Sequence, residues 1–271
     1  MRRKIISIIL VLYFVVLLAG CATSQQKAVS NTAPPSVEIT VSAAASMKDV
    51  ISEVQKNYEV KNPHVKLVLN WGGSGSLQRQ IEYGAPVDVF ISAAPKHLDY
   101  LAAKNMINQA TRIKVAENTL VLVVPVQSSL KINRFEDLLR QDVEKIGLGE
   151  PASVPAGQYG KQVLEKLGIW DDIKGKLVYG KDVRSILTYV ETGNVDAGIV
   201  YSTDALLSDK VKVVAMVPYG AHDPIVYSAA VIAGTKQEKA AKDFLAFLQS
   251  DESRTVFERY GFVMRKGLRE R

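Results

Sequence analysis

From Val37 onward, runs of β-branched and aliphatic residues alternate with segments of helical spacing, and that order constrains the fold more than any other feature of the chain. In "VEITV", Val37, Ile39 and Val41 fall on one side of a strand. Met47, Val50, Ile51, Val54 and Tyr58 follow at helical spacing. "VKLVL" (Val65 to Leu69) predicts a second strand, and Leu77 with Ile81 begins a second helix that Gly84 closes. "VDVFISA" predicts a third strand, and Pro95 opens a helix with Leu98, Leu101 and Ala102 on its apolar face. A βαβαβα order makes a parallel sheet flanked by helices the default, because parallel neighbours need a crossover.

"TRIKVA" and "TLVLVVP", separated by the polar pair Glu117 and Asn118, read as strands leading across to a second unit that repeats the alternation. It comprises a helix at "FEDLLR", a strand at "KIGLG" and a helix from Tyr159 to Leu167 capped by Gly168. A helix opened by Asp182 and ended by Gly193 follows, then a strand at "AGIVY" and a short helix from Asp204. "VKVVAMV" and "PIVYSAAVI" return as strands, and Thr235 with Glu238 predicts a capping box for the closing helices. Two α/β units joined by more than one crossing leave a cleft between them. The expected division is residues 37–120 with 219–271 as one lobe and 121–218 as the other.

The first 20 residues read as a signal peptide. Arg2, Arg3 and Lys4 precede an apolar stretch from Ile5 to Leu18, too short to span a bilayer. "LAGC" resembles the lipobox of bacterial lipoproteins, in which the cysteine, here Cys21, is acylated and becomes the mature N-terminus; the alternative is an ordinary cleaved signal with an incidental cysteine. Cys21 is the single cysteine of the chain, so no internal disulfide supports the exported part. Residues 21–36, polar and proline-containing, read as a tether. The expected location is therefore extracytoplasmic, held to the cell membrane by lipid. Without the three leader cations the chain keeps 31 basic against 28 acidic residues, a dispersed excess that is no nucleic-acid signature.

Four strand-to-helix junctions share one chemical character: "SAAASM", "WGGSGSL", "EPASVPAGQYG" and "GKDVRS". The first N–H groups of a helix lack intrahelical partners, and the helix dipole puts partial positive charge there. Small residues let a ligand approach that backbone, and serine adds a hydroxyl donor. Taken singly, Ser46 and Ser74 read equally well as plain helix N-caps. Several such junctions at the carboxyl ends of strands favour an anion site.

"ITVSAAASM", "GSGSLQRQIEYGAPVDVFISA", "PASVPAGQYGKQVLEKLGIWDDI", "KDVRSILTYVETGNVDAGIVYSTDA" and "VFERYGF" together resemble the molybdate-binding proteins of ABC importers, from about Ile39 to Phe262. The resemblance implies an α/β, two-lobed periplasmic-binding-protein type II fold, each lobe a sheet flanked by helices with the ligand cleft between. It implies molybdate or tungstate as ligand, no further cofactor, no direct metal ligand, no catalysis, an ABC permease as partner and a monomer. Carried over position by position, it assigns the oxyanion to the hydroxyls of Ser46, Ser74 and Tyr201 and to the main-chain N–H groups of Ala156 and Val183. The family often has serine where this chain has Gly73 and Gly75. Each position also has a plain structural alternative: a packing alanine, a first-turn core valine, a strand-end tyrosine.

An uncharged site has a physical logic. A dianion buried against a full counter-charge must offset two desolvation costs, whereas fixed dipoles offer charge-assisted hydrogen bonds of about 1.5–3 kcal/mol each. Molybdate and sulfate are fully deprotonated near neutral pH and only accept. Monohydrogen phosphate needs an acceptor for its proton, and burying that proton unpaired costs about 1–3 kcal/mol. Sulfate is rejected only by cavity size, so sulfate, thiosulfate or a small organic anion stands as the alternative ligand. An oxyanion site of this kind requires the five positions to meet with no charged side chain filling their meeting point.

A serine hydrolase belongs to another class. "GGSGS" is one residue short of a nucleophile elbow, since Ser76 stands where the last glycine belongs, and the available bases are His64, His97 and His222. The Gly-Lys-Ser/Thr of a P-loop is missing. No cysteine, histidine or carboxylate cluster has metal-ligand spacing. Asp88 and Asp182 read as strand-end and N-cap residues rather than catalytic acids.

Overall fold

The computed structural model describes residues 37–264; the expected signal peptide, Cys21 and the tether lie outside the described residues. Among the described residues ten strands form two five-stranded sheets. The first has the order β2-β1-β3-β10-β4, with β1 at Val37–Ala44, β2 at Val65–Gly72, β3 at Val89–Ser92, β4 at Ile107–Asn118 and β10 at Ile225–Ile232. The second has the order β7-β6-β8-β5-β9, with β5 at Leu120–Pro125, β6 at Ile146–Gly149, β7 at Leu177–Gly180, β8 at Ala197–Tyr201 and β9 at Val211–Met216. The chain passes from the first sheet to the second at Thr119 and returns between Met216 and Ile225.

β1 pairs in parallel with β2 and β3, as the βαβαβ order requires. Both sheets are nonetheless mixed rather than parallel. β10 runs antiparallel to β3 and β4, and β5 runs antiparallel to β8 and β9. The strands that break the parallel order are those that carry the chain across, entering each sheet from its partner instead of through a helix on its own face.

Helix α1 (Lys48–Lys61) follows β1, α2 (Ser74–Glu82) follows β2 and α3 (Pro95–Ala103) follows β3. Alternation along β3 serves both faces of the sheet. Val89 and Ile91 join the core that includes Val50, Val54 and Phe244, whereas Phe90 joins Leu77, Leu98 and Leu101. In the second lobe, α4 (Pro155–Lys166) and α6 (Val183–Glu191), with the short α5 (Trp170–Ile173) between them, bury Val163, Leu164, Ile186 and Val190 in the core that holds Leu148 and Ile199. The short α7 (Ser202–Ala205) continues from β8, and α8 (Glu238–Leu248) and α9 (Asp251–Arg259) close the first lobe.

Several local expectations are corrected. "FEDLLR" forms a 3-10 turn, Phe135–Leu139, not an α-helix. Asp137 accepts the main-chain N–H groups of Asn133 and Arg134, and Arg140 returns to extended backbone before a full α-turn accumulates. Thr235 makes no capping box. α8 starts at Glu238 behind Gln237, while Thr235 Oγ1 accepts from the Gln237 N–H and donates to the Asp88 carboxylate, a stronger acceptor than a main-chain carbonyl. β7 and α5, four residues each, are too short to show a hydrophobic period and were not expected.

Candidate ligand-binding site

The five anticipated residues arrive from five different turns. Ser46 lies in the 3-10 turn Ala45–Met47 between β1 and α1, and Ser74 is the first residue of α2. Ala156 is the second residue of α4 after Pro155, Val183 the first of α6, and Tyr201 the last of β8. All five line one cavity between the two sheets. The cavity is small, about 10 Å³ counted as room for the centre of a water-sized sphere, or space for about one water.

Neither serine acts as a helix cap. The N-cap of α1 is Met47 and that of α2 is Gly73, and both caps lack a side-chain bond. Ser74 is fully buried, and its Oγ accepts the Ala93 N–H at 3.0 Å. That bond leaves its own proton to donate. Ser46 is buried with its Oγ 2.9 Å from the Tyr227 hydroxyl. Across the cavity, Ala156 and Val183 sit in the first turns of their helices, where the helix itself supplies no partner for the N–H.

Tyr201 carries the clearest signal. Its hydroxyl is buried and meets no hydrogen-bond partner among the described residues. The nearby Tyr227 hydroxyl is already engaged by Ser46 and Asn118. Burial, reinforced by the Tyr227 and Tyr159 hydroxyls and the Asp204 carboxylate, pushes Tyr201 well above the usual tyrosine range, so its proton is retained. An unpartnered buried hydroxyl costs about 1–3 kcal/mol. A ligand oxygen in the cavity removes that cost.

One charged residue does lie on the wall, contrary to the expectation of an uncharged meeting point: Asp182. Its Oδ1 accepts from the Ser185 N–H at 2.8 Å and the Ser185 hydroxyl at 2.9 Å, so the carboxylate is held as the N-cap of α6. Next to it, Arg184 reaches across to Asp49 of α1 and places Nε 2.8 Å from Asp204 Oδ1, an ion pair off the line of a hydrogen bond. Burial raises the Asp204 carboxyl to about 7 against the lowering pull of Arg184. This cross-lobe group was not singled out in the sequence, although Arg184 stands inside the "DVR" motif.

The lobes also touch through backbone. The Gly75 N–H donates to the Ser153 carbonyl at 2.9 Å, from α2 of the first lobe to the turn after β6 in the second. A Cβ on Gly75 would stand 2.9 Å from Ser153 Cα and O, and one on Gly73 would stand 2.9 Å from the Lys181 carbonyl. In this chain the opposite lobe's main chain closes onto both positions, so a side chain at either would force that contact to shift.

The geometry gives no support to a hydrolase. His97 Nδ1 bonds to Gln78 Oε1 at 2.7 Å, and burial, with Lys96 and Arg79 nearby, depresses its ionisation to about 4. His222 Nδ1 turns to the Asp223 carbonyl. Ser74, the serine at the nucleophile position of the near-elbow, is engaged by the Ala93 N–H and by no histidine among the described residues. Among the described residues no group of three or more His, Cys, Asp or Glu is placed to hold a metal ion, and no helix is long and apolar enough to cross a membrane.

Two mixed sheets closing on a small donor-lined cavity define a two-lobed solute-binding fold of periplasmic-binding-protein type II. Residues 39–263 match the family of bacterial extracellular solute-binding proteins, and the chain belongs to that family. It is 47% identical over 247 residues to a Bacillus subtilis (strain 168) protein provisionally named ABC transporter substrate-binding lipoprotein YvgL, covering 91% of this chain and 93% of the relative. It is 40% identical over 230 residues to the molybdate-binding protein ModA of Haemophilus influenzae, covering 84% and 90%. The structure of the Azotobacter vinelandii periplasmic molybdate-binding protein shares the fold with a TM-score of 0.76 at 22% identity, over 84% of this chain and 100% of that one.

Proposed function

We propose that this protein captures molybdate, and tungstate with it, outside the cytoplasm and delivers the ion to an ABC permease. Acylation of Cys21 tethers it to the membrane, and it works as a monomer without catalysis or a further cofactor. Ser46, Ser74 and Tyr201 donate through hydroxyls, and Ala156 and Val183 through main-chain N–H groups. The lobes are residues 37–120 with 219–271, and 121–218, closing about the strands that cross between them.

The observation that carries this is the buried Tyr201 hydroxyl, unpartnered in a cavity whose other predicted contacts are donors from both sheets. A ligand that only accepts hydrogen bonds suits such a cavity, and the small volume favours a compact inorganic ion. The names of the relatives support molybdate as that ion.

Titration calorimetry on the full chain tests it. Tight molybdate and tungstate binding is expected, with sulfate far weaker and phosphate without detectable heat. Sulfate affinity comparable to molybdate would reject the assignment in favour of another oxyanion. Ester turnover that disappears in Ser74→Ala would return the hydrolase.

A further inference from the structure

Ser46 is the one predicted ligand group whose hydroxyl is engaged from behind by a residue that does not line the cavity, Tyr227. Which of the two hydroxyls donates decides whether Ser46 offers the ligand a proton or a lone pair. The answer lies one residue further back. Asn118 ends β4 at the crossing, and its side-chain oxygen accepts the Thr119 N–H at 2.8 Å and the Ser202 hydroxyl at 3.1 Å. A main-chain N–H can only donate, so that atom is the oxygen and the other side of the amide is Nδ2. Nδ2 donates to Thr203 Oγ1 at 2.9 Å and to the Tyr227 hydroxyl at 3.3 Å.

Tyr227 therefore accepts from Asn118, and its own proton needs an acceptor. The residue is 0% exposed, and Ser46 Oγ at 2.9 Å supplies one. The Tyr201 hydroxyl, though nearby, makes no hydrogen bond to Tyr227, so the opposite polarity, with Ser46 donating, would leave the tyrosine proton with no acceptor in hydrogen-bond reach among the described residues. Burial also pushes Tyr227 far above the usual tyrosine range, so the proton is always present.

We propose that Tyr227, oriented by Asn118, is a positioning residue that locks Ser46 as a hydrogen-bond donor toward the cavity and thereby sets the preference for fully deprotonated oxyanions over protonated ones. The proposal rests on the oxyanion reading of the site. The relay runs from the crossing, through Asn118 and Tyr227, to Ser46. An anion bearing a proton would need Ser46 to accept, and accepting would strand a proton somewhere along that line.

The test is a double-mutant cycle on the full chain, read by molybdate calorimetry with hydrogen phosphate as competitor. Tyr227→Phe deletes only the hydroxyl and should weaken molybdate binding by about tenfold. In a Ser46→Ala background the same change should weaken it less than about twofold, because the relay has nothing left to orient. Equal losses in both backgrounds, or no loss in the first, overturn the proposal by showing that Tyr227 acts through packing or not at all. Asn118→Asp is the second variant. Its carboxylate accepts from Tyr227, reverses the relay and turns the Ser46 lone pairs to the cavity. Both competing ions are dianions, so the added charge weakens them alike, and competition between them isolates polarity. Hydrogen phosphate, expected not to compete in the unmodified chain, should become a measurable competitor of molybdate in this variant; its continued failure to compete overturns the proposal. Failure of the unmodified chain to bind molybdate, tungstate or sulfate would instead sink the oxyanion reading itself, before any variant is made.

Discussion

The two lobes bring different chemistry to one cavity. From the first sheet come Ser46 and Ser74, whose donors are side-chain hydroxyls set by bonds from Tyr227 and from the Ala93 N–H. From the second come Ala156 and Val183, which offer only main-chain N–H groups in the first turns of α4 and α6, together with Tyr201 at the end of β8. In the proposed site, hydroxyls on one wall can be deleted one at a time by substitution. Amides on the other wall are fixed by helix geometry, whatever side chain they carry. The first wall is tuned by residues and the second by fold.

The largest effect should come from keeping the walls apart. Gly75→Ala places a methyl 2.9 Å from the Ser153 main chain of the other lobe, where no flexible side chain can give way. Three donors of the second lobe are then lost together, and at about 1.5–3 kcal/mol each, molybdate affinity should fall by at least about 1,000-fold. Within its own lobe the methyl also meets the His97 ring at 3.0 Å, a contact set against the about 1 kcal/mol that alanine gains as the better helix former, so the ligand-free melting temperature should shift by no more than about 2–4 °C. Small-angle scattering should show ligand-induced compaction in the unmodified chain and none in the variant. A variant that still closes and binds would mean that Gly75 and Ser153 do not meet when the lobes close on ligand.

Next in size is a test of the amide wall. Val183→Pro removes one N–H at the first position of α6, where proline is tolerated, and Asp182 before it is already extended at φ −159° and ψ 170°. The ring occupies the donor's place, so water cannot substitute, and affinity should drop about 10- to 100-fold. Val183→Ala keeps the N–H and should stay within about threefold. If the two variants lose affinity equally, the valine side chain and not its amide matters, and the contrast between walls fails. On the hydroxyl wall, Ser74→Ala should cost about tenfold, a smaller loss because water can enter the vacated space and bridge.

The same contrast explains what could be read from the residues alone. Strand and helix order was legible because apolar spacing is dense along β1, β2, β3 and their helices, and Ser46, Ser74 and Tyr201 carry chemistry in their side chains. Ala156 and Val183 carry none, so only the likeness of "VPAG" and "DVR" to a family pattern could single them out. Gly73 and Gly75 read as small residues that let a ligand approach the backbone, whereas the contact that leaves no room for a side chain comes from Ser153 and Lys181, roughly 80 to 110 residues away. The Asn118–Tyr227–Ser46 line joins β4, β10 and the turn after β1, and no local pattern connects three such distant segments. The antiparallel return of β10 was hidden for the same reason: strand direction depends on which lobe the chain arrives from.

The smallest expected effect separates the lobes by pH. In the first lobe, burial depresses His97 to about 4, below its unfolded value near 6.5. Its contribution to stability is present above about pH 6.5 and is lost as pH falls through 4. In the second lobe, burial raises Asp204 to about 7, above its unfolded value near 3.9. Its contribution is present below about pH 4 and is lost as pH rises through 7. Between pH 4 and 6.5 the two slopes oppose each other, so the unmodified protein should melt at nearly constant temperature across that window. Asp204→Asn removes one slope and should make the melting temperature rise with pH by roughly 5–10 °C between about pH 4.5 and 6.5, while His97→Asn should make it fall by a similar amount. Parallel curves for all three proteins, measured by calorimetric melting without ligand at pH 4.5, 5.5 and 6.5, would show that neither buried group titrates in the way its surroundings imply.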